Sequence, residues 1–104
     1  MAGEYVKVAE TNEIPLGTMK QVEVGGELIA LINAGGEFFA IGDECTHAGG
    51  FLSQGELEDF QVECPLHAAS FNVKTGDPES PPASDSVPVY QVKVEGRDIL
   101  ILEP

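Results

Sequence analysis

Apolar residues in this chain fall into short runs separated by glycines, at spacings that suit strands rather than helices. Residues 5–9 alternate weakly between apolar and polar. Residues 19–24 and 27–33 lie on either side of Gly25-Gly26, a two-residue link that tolerates positive φ and predicts a hairpin. Ala34-Gly35-Gly36 then leads into a further strand over 37–41. Within the second of these segments, residues 28–32 form a continuous apolar run, too short and too closely bounded by turns for a helix. That pattern predicts a strand buried on both faces. Residues 87–95 alternate, Gly96-Arg97 turns, and 98–102 returns as a third hairpin. No segment sustains a helical period with cap signals at both ends. The pattern therefore predicts an all-β fold, a small antiparallel sandwich or barrel.

Two irregular stretches, 43–55 and 65–70, interrupt the strands, each beginning at or just after a strand end. Between them, 56–58 and 60–63 read as short strands around Asp59, an arrangement that brings the two stretches side by side. A third irregular segment, 75–82, carries Gly76, Pro78, Pro81 and Pro82. Loops on a rigid β scaffold are where ligands are usually displayed. There is no internal repeat, low-complexity tract or linker. At 104 residues and 42% hydrophobic content, the chain is expected to form one domain.

Charge narrows the set of partners. The net charge is −13, with five Lys and Arg in all, which argues against nucleic acid and anionic membrane surfaces, since both recruit basic side chains. From Gln21 through Val73 there is no Lys or Arg, while Glu23, Glu27, Glu37, Asp43, Glu44, Glu56, Glu58, Asp59 and Glu63 all fall inside that stretch. Two readings follow: a solubilising surface, or a face that steers toward basic patches on partner proteins. The opening Met1-Ala2-Gly3-Glu4 lacks the basic and apolar regions of a signal peptide, and no apolar run reaches transmembrane length. A soluble, cytoplasmic protein is expected, with its thiols reduced. Met1 and the closing strand over 99–102 read as the ends of a complete polypeptide.

Every cysteine and histidine of the chain lies in one of two clusters, Cys45-Thr46-His47 and Cys64-Pro65-Leu66-His67. Two thiolates and two imidazoles suit either a tetrahedral zinc site or a mixed-ligand iron-sulfur cluster. A disulfide between the cysteines would leave both histidines unexplained. In the first cluster, one residue separates the two side chains, so on an extended strand end they point the same way. In the second, the bend around Pro65 lets Cys64 and His67 converge. The sixteen residues between His47 and Cys64 are enough for a hairpin that stacks one loop on the other.

The order Cys-x-His, a gap of this length and Cys-x-x-His resembles the Rieske family, in which the cysteines hold one iron of a 2Fe-2S cluster and the histidines hold the other. Cys45-Thr46-His47-Ala48-Gly49-Gly50 and Cys64-Pro65-Leu66-His67-Ala68-Ala69-Ser70-Phe71 are similar to its two boxes, and Ser80-Pro81-Pro82 to its third, proline-bearing loop. Zinc modules more often pair cysteine with cysteine and histidine with histidine. The resemblance covers essentially the whole chain. It implies a single Rieske domain over 1–104, with a cluster-binding subdomain inserted as two loops at about 43–72 and a proline-bearing loop at about 76–82. It also implies one 2Fe-2S cluster with Cys45, His47, Cys64 and His67 as ligands. Phe51, Leu52, Leu66, Pro81 and Pro82 are candidates for shielding it from water or, equally, for plain core.

Two departures set the expected potential. High-potential relatives carry a serine two residues and a tyrosine four residues after the last histidine, both donating hydrogen bonds to the cluster sulfurs; here those positions are Ala69 and Phe71. The same relatives join their boxes by an extra disulfide, where this chain has Gly50 and Leu66. The chain thus resembles the low-potential soluble Rieske ferredoxins.

The resemblance implies an electron carrier rather than an enzyme. Its expected partners are a flavoprotein ferredoxin reductase that draws on NAD(P)H and the terminal oxygenase of a bacterial ring-hydroxylating dioxygenase system, with a role in aromatic compound catabolism. A monomer suits such a shuttle. Neither a phosphate-cradling loop nor a dinucleotide fingerprint occurs. The alternatives are a ferredoxin for another oxygenase or a nitrite-reductase-like complex, a Rieske domain excised from a larger oxygenase subunit, and a zinc-stabilised interaction module.

Overall fold

The computed structural model describes residues 4–44, 50–64, 70–79 and 86–103. Ten strands follow in order: β1 Tyr5–Glu10, β2 Met19–Val24, β3 Glu27–Ala34, β4 Glu37–Gly42, β5 Glu56–Glu58, β6 Gln61–Glu63, β7 Ser70–Asn72, β8 Val89–Tyr90, β9 Val92–Glu95 and β10 Asp98–Leu102. All their pairings are antiparallel. They make three sheets, ordered β1-β10-β9, β2-β3-β4-β8 and β5-β6-β7. Single 3-10 turns at Thr11–Glu13 and Leu52–Gln54 are the helical elements among the described residues. The all-β expectation holds.

The β2–β3 hairpin closes with Val24 opposite Glu27. Gly25 and Gly26 both take positive φ, 60° and 83°, as a two-residue turn matched to strand twist requires. The apolar run in β3 serves two cores, because side chains alternate across a strand. Ile29 and Leu31 are buried with Ile14, Ala40, Ile99 and Ile101, beneath the β1-β10-β9 sheet. Ala30, Ile32 and Ala34 point the other way and are buried with Leu52, Val62, Cys64 and Phe71. β3 is thus the shared wall between the scaffold and the small third sheet. Burial on both faces starts at Ile29, however. Leu28 is 38% exposed, because it stands one residue from the Glu27 end of the strand, beyond the cover of either core.

Two sequence expectations are corrected. The alternating stretch 87–95 is two strands in different sheets: β8 pairs with β4, through Ala40 with Tyr90 and Ile41 with Val89, whereas β9 pairs with β10. Gln91 is the corner between them, its carbonyl accepting a hydrogen bond from Leu102 N at 3.0 Å. Such bends are how a chain changes sheets in packed β folds, and the apolar alternation slips phase here, between Val89 and Val92. Likewise Ser70, expected at the end of a loop, begins β7. Phe71 sits opposite Val62 and is fully buried, completing the third sheet.

The third sheet is fastened to the scaffold through Phe60. Its ring meets Phe39 edge-on, with centroids 6.0 Å apart at 86°, and Lys74 Nζ lies 3.9 Å from the Phe60 centroid. Asp59, just before it, adopts φ 54° to turn between β5 and β6, a left-handed conformation that aspartate tolerates better than most residues.

Candidate metal centre

Cys64 follows directly on β6 and is 1% exposed, in the apolar cluster of Leu52, Val62 and Phe71. The sheet register places it there: Glu63 is opposite Ser70, so the chain between them is the hairpin connection of β6 to β7. Cys45, His47 and His67, with Leu66, Ala69, Pro81 and Pro82, lie outside the described residues. The strands and turns that flank them are described, and they constrain where each segment starts and ends.

The segment bearing Cys45 and His47 leaves from the end of β4 and returns at the Leu52–Gln54 turn. Its two ends are tied together: Glu44 pairs with Phe51 in an isolated antiparallel bridge, and Leu52 N donates to Asp43 O at 2.7 Å. Asp43 itself is fully buried. Its carboxylate accepts hydrogen bonds from Gln21 Nε2 at 2.6 Å, Ser53 N at 2.7 Å and Ser53 Oγ at 2.8 Å. In the sequence Asp43 is one of nine acidic residues between Gln21 and Val73. Its position two residues before Cys45 and ten before Ser53 was the available signal, too weak alone to mark a buried anchor. Of the apolar candidates, Leu52 is fully buried and is core, while Phe51 is half-buried. Gly50 is also half-buried.

The described part of the proline-bearing segment is tied to β7. Glu79 N donates to Ser70 O at 2.7 Å, Asn72 N to Asp77 O at 2.9 Å, and Pro78 bridges Phe71. Asn72 Oδ1 accepts from the backbone N–H groups of Lys74 and Thr75, and Ser86 Oγ donates to Asp77 Oδ1 at 3.1 Å. Gly76 closes this turn at φ 77°, and a Cβ there would collide with Val87 O and stand 2.9 Å from Val89 Cγ2. Gly76→Ala is therefore expected to cost about 1–3 kcal/mol through strained backbone and displaced neighbours. A denaturant midpoint equal to wild type would contradict this.

Electrostatically the outer surface of the third sheet is one-signed. Glu56, Glu58, Gln61 and Glu63 are exposed and, with Ser70, line a shallow groove. Glu56 and Glu63 are direct cross-strand partners, a like-charge pairing that costs stability. Among the described residues, the ion pairs join Lys7 to Glu10 and Asp98, Lys20 to Glu13 and Lys93 to Glu95, all away from this sheet.

These features suit an iron-sulfur centre. A soft sulfur donor is buried among apolar side chains at a strand end, and the remaining Cys and His donors of the chain lie on segments whose described ends are hydrogen-bonded in place.

Comparison with known proteins agrees. Residues 4–91 match the family model described as the Rieske 2Fe-2S domain. The chain is 41% identical over 98 residues to the biphenyl dioxygenase ferredoxin subunit of Pseudomonas sp. (strain KKS102), covering 93% of this chain and 90% of that one. It is 49% identical over 90 residues to the 3-phenylpropionate/cinnamic acid dioxygenase ferredoxin subunit of Escherichia coli (strain K12), covering 86% and 84%. Its fold matches a chain in the solved complex of reduced oxygenase and oxidized ferredoxin in carbazole 1,9a-dioxygenase, with a TM-score of 0.89, 34% identity and coverage of 94% and 92%. The chain belongs to the Rieske 2Fe-2S domain family, and its cofactor is a Rieske-type 2Fe-2S cluster.

Proposed function

We propose that this chain is the ferredoxin of a ring-hydroxylating dioxygenase system, carrying one electron at a time from an NAD(P)H-dependent flavoprotein reductase to a terminal Rieske-type oxygenase in aromatic compound catabolism. The observation that carries this reading is similarity to dioxygenase ferredoxin subunits along nearly the full length of both chains. The solved complex of an oxygenase with its ferredoxin supports an oxygenase as the electron's destination.

In this reading Cys45 and Cys64 hold one iron, and His47 and His67 hold the other. The bound cluster supplies a one-electron couple, less reducing than an all-cysteine cluster because two neutral imidazoles replace two thiolates. The protein's part is positional. Leu52, Val62 and Phe71 keep water from Cys64, and the tied stems limit how far the ligand segments move. Residues of about 43–72 act as a cluster-binding subdomain of a single domain, with the proline-bearing loop at about 76–82 beside it. Among the described residues no helix is long and apolar enough to cross a membrane, and a monomeric cytoplasmic shuttle fits the role.

The test is reconstitution. With a matched reductase and oxygenase, NAD(P)H oxidation coupled to arene hydroxylation should require this protein, and an equal turnover without it would contradict the proposal. The acidic face supports steering toward basic partner surfaces. Raising salt from about 0.05 to about 0.5 M should slow the relay several-fold as the Debye length shortens. A salt-independent rate would remove electrostatic docking from the account but not electron transfer itself.

A further inference from the structure

Asp43 has a place in the structure that the electron-carrier role does not by itself explain. A carboxylate with no exposed surface is costly to bury unless its acceptor sites are filled. Here they receive Gln21 Nε2, Ser53 N and Ser53 Oγ at 2.6–2.8 Å, the short range of charge-assisted bonds. The backbone of the same residue is used twice more, its N–H donating to Leu28 O at 3.0 Å and its carbonyl accepting from Leu52 N at 2.7 Å. One residue thus joins β2, β3 and both ends of the segment that carries Cys45 and His47. We infer that Asp43 is a positioning residue for the metal centre: by clasping Ser53 it ties together the two described ends of the segment that carries Cys45 and His47.

The inference rests on the ligand assignment proposed above. It also makes a distinction within one side chain. If hydrogen bonding is what matters, asparagine should serve, since its Oδ1 can accept from Ser53 N while its Nδ2 donates to Ser53 Oγ and to the Gln21 amide turned to present its oxygen. Alanine leaves three donors without their acceptor, and partners of this kind are typically worth about 10- to 100-fold in metal retention.

The experiment uses holoprotein of wild type, Asp43→Ala, Asp43→Asn and Ser53→Ala. Val24→Ala, in the core on the opposite side of β3, serves as the control for general destabilisation. Cluster loss to a chelator is followed by visible absorption at a temperature where all are folded, and the reduced clusters are compared by electron paramagnetic resonance. Asp43→Ala should lose its cluster about 10- to 100-fold faster than wild type and faster than Val24→Ala, with a broadened spectrum. Asp43→Asn should stay close to wild type in both. Should Asp43→Ala fail to accumulate, Ser53→Ala carries the test, with a smaller effect in the same direction. Loss no faster than in Val24→Ala, an unchanged spectrum, or an Asp43→Asn protein as impaired as Asp43→Ala would overturn the inference. The wild-type spectrum reports separately on the ligand assignment, so a failure there is not confused with a failure of the clasp.

Discussion

Cys64→Ser is expected to leave the purified protein colourless and to take its iron from about two atoms per chain to background. The reason lies in both chemistry and place. Serine offers a protonated hydroxyl where iron requires a soft anionic sulfur, and the site is 1% exposed, in the apolar cluster of Leu52, Val62 and Phe71. Folding is coupled to cluster binding, so the variant should also unfold more readily. Leu52→Ala makes the comparison sharp. It opens a cavity in the same cluster at a cost of about 2–5 kcal/mol but removes no donor, so below its lower melting temperature it should still hold iron. Iron and sulfide analysis of the two proteins checks this, and a Cys64→Ser protein with a full visible spectrum would remove Cys64 from the ligand set.

A redox titration of the wild-type protein should give a potential near the low end of the Rieske range, roughly −150 mV within about 100 mV, in a family that extends to about +300 mV. Hydrogen bonds to the cluster sulfurs raise such potentials by stabilising the extra negative charge of the reduced state. Phe71, at one of the two positions from which high-potential relatives donate, is fully buried in the same apolar cluster as Cys64 and has no hydroxyl. Phe71→Tyr is accordingly expected to shift the potential upward, with some loss of stability if its hydroxyl finds no partner. A clearly positive wild-type value would contradict the low-potential assignment.

Much of the architecture was legible because it rests on local signals. Gly25-Gly26 and Gly96-Arg97 marked their hairpins, and the run at 28–32 identified the strand that two cores share, apart from the exposed Leu28. Corners were less legible. Val87 and Val89 keep one period of two and Val92 and Val94 keep another, one residue out of phase; that slip coincides with the corner at Gln91, but which sheet each half joins is settled by distant partners in β4 and β10. β7 was missed for a similar reason: three residues carry little pattern, and Phe71 becomes a strand residue through its pairing with Val62. At the site, residue type was informative and environment was not. Four scarce donors announced a metal centre from their spacing alone, whereas the buried Asp43 looked like any other acid of a strongly acidic chain. Its role depends on Gln21 and Ser53, and neither has a sequence signature for that contact.

Two imidazoles and two thiolates are proposed to hold this protein's cluster, and pulsed electron paramagnetic resonance of the dithionite-reduced protein is the decisive measurement. A nitrogen bound to iron shares the unpaired electron and appears as a resolved hyperfine coupling. Wild-type protein should show couplings from two histidine nitrogens, reduced to one in His47→Cys or His67→Cys if those variants retain a cluster. A reduced cluster without nitrogen coupling would contradict mixed ligation, and a protein with no paramagnetic signal and bound zinc would contradict the iron-sulfur assignment altogether.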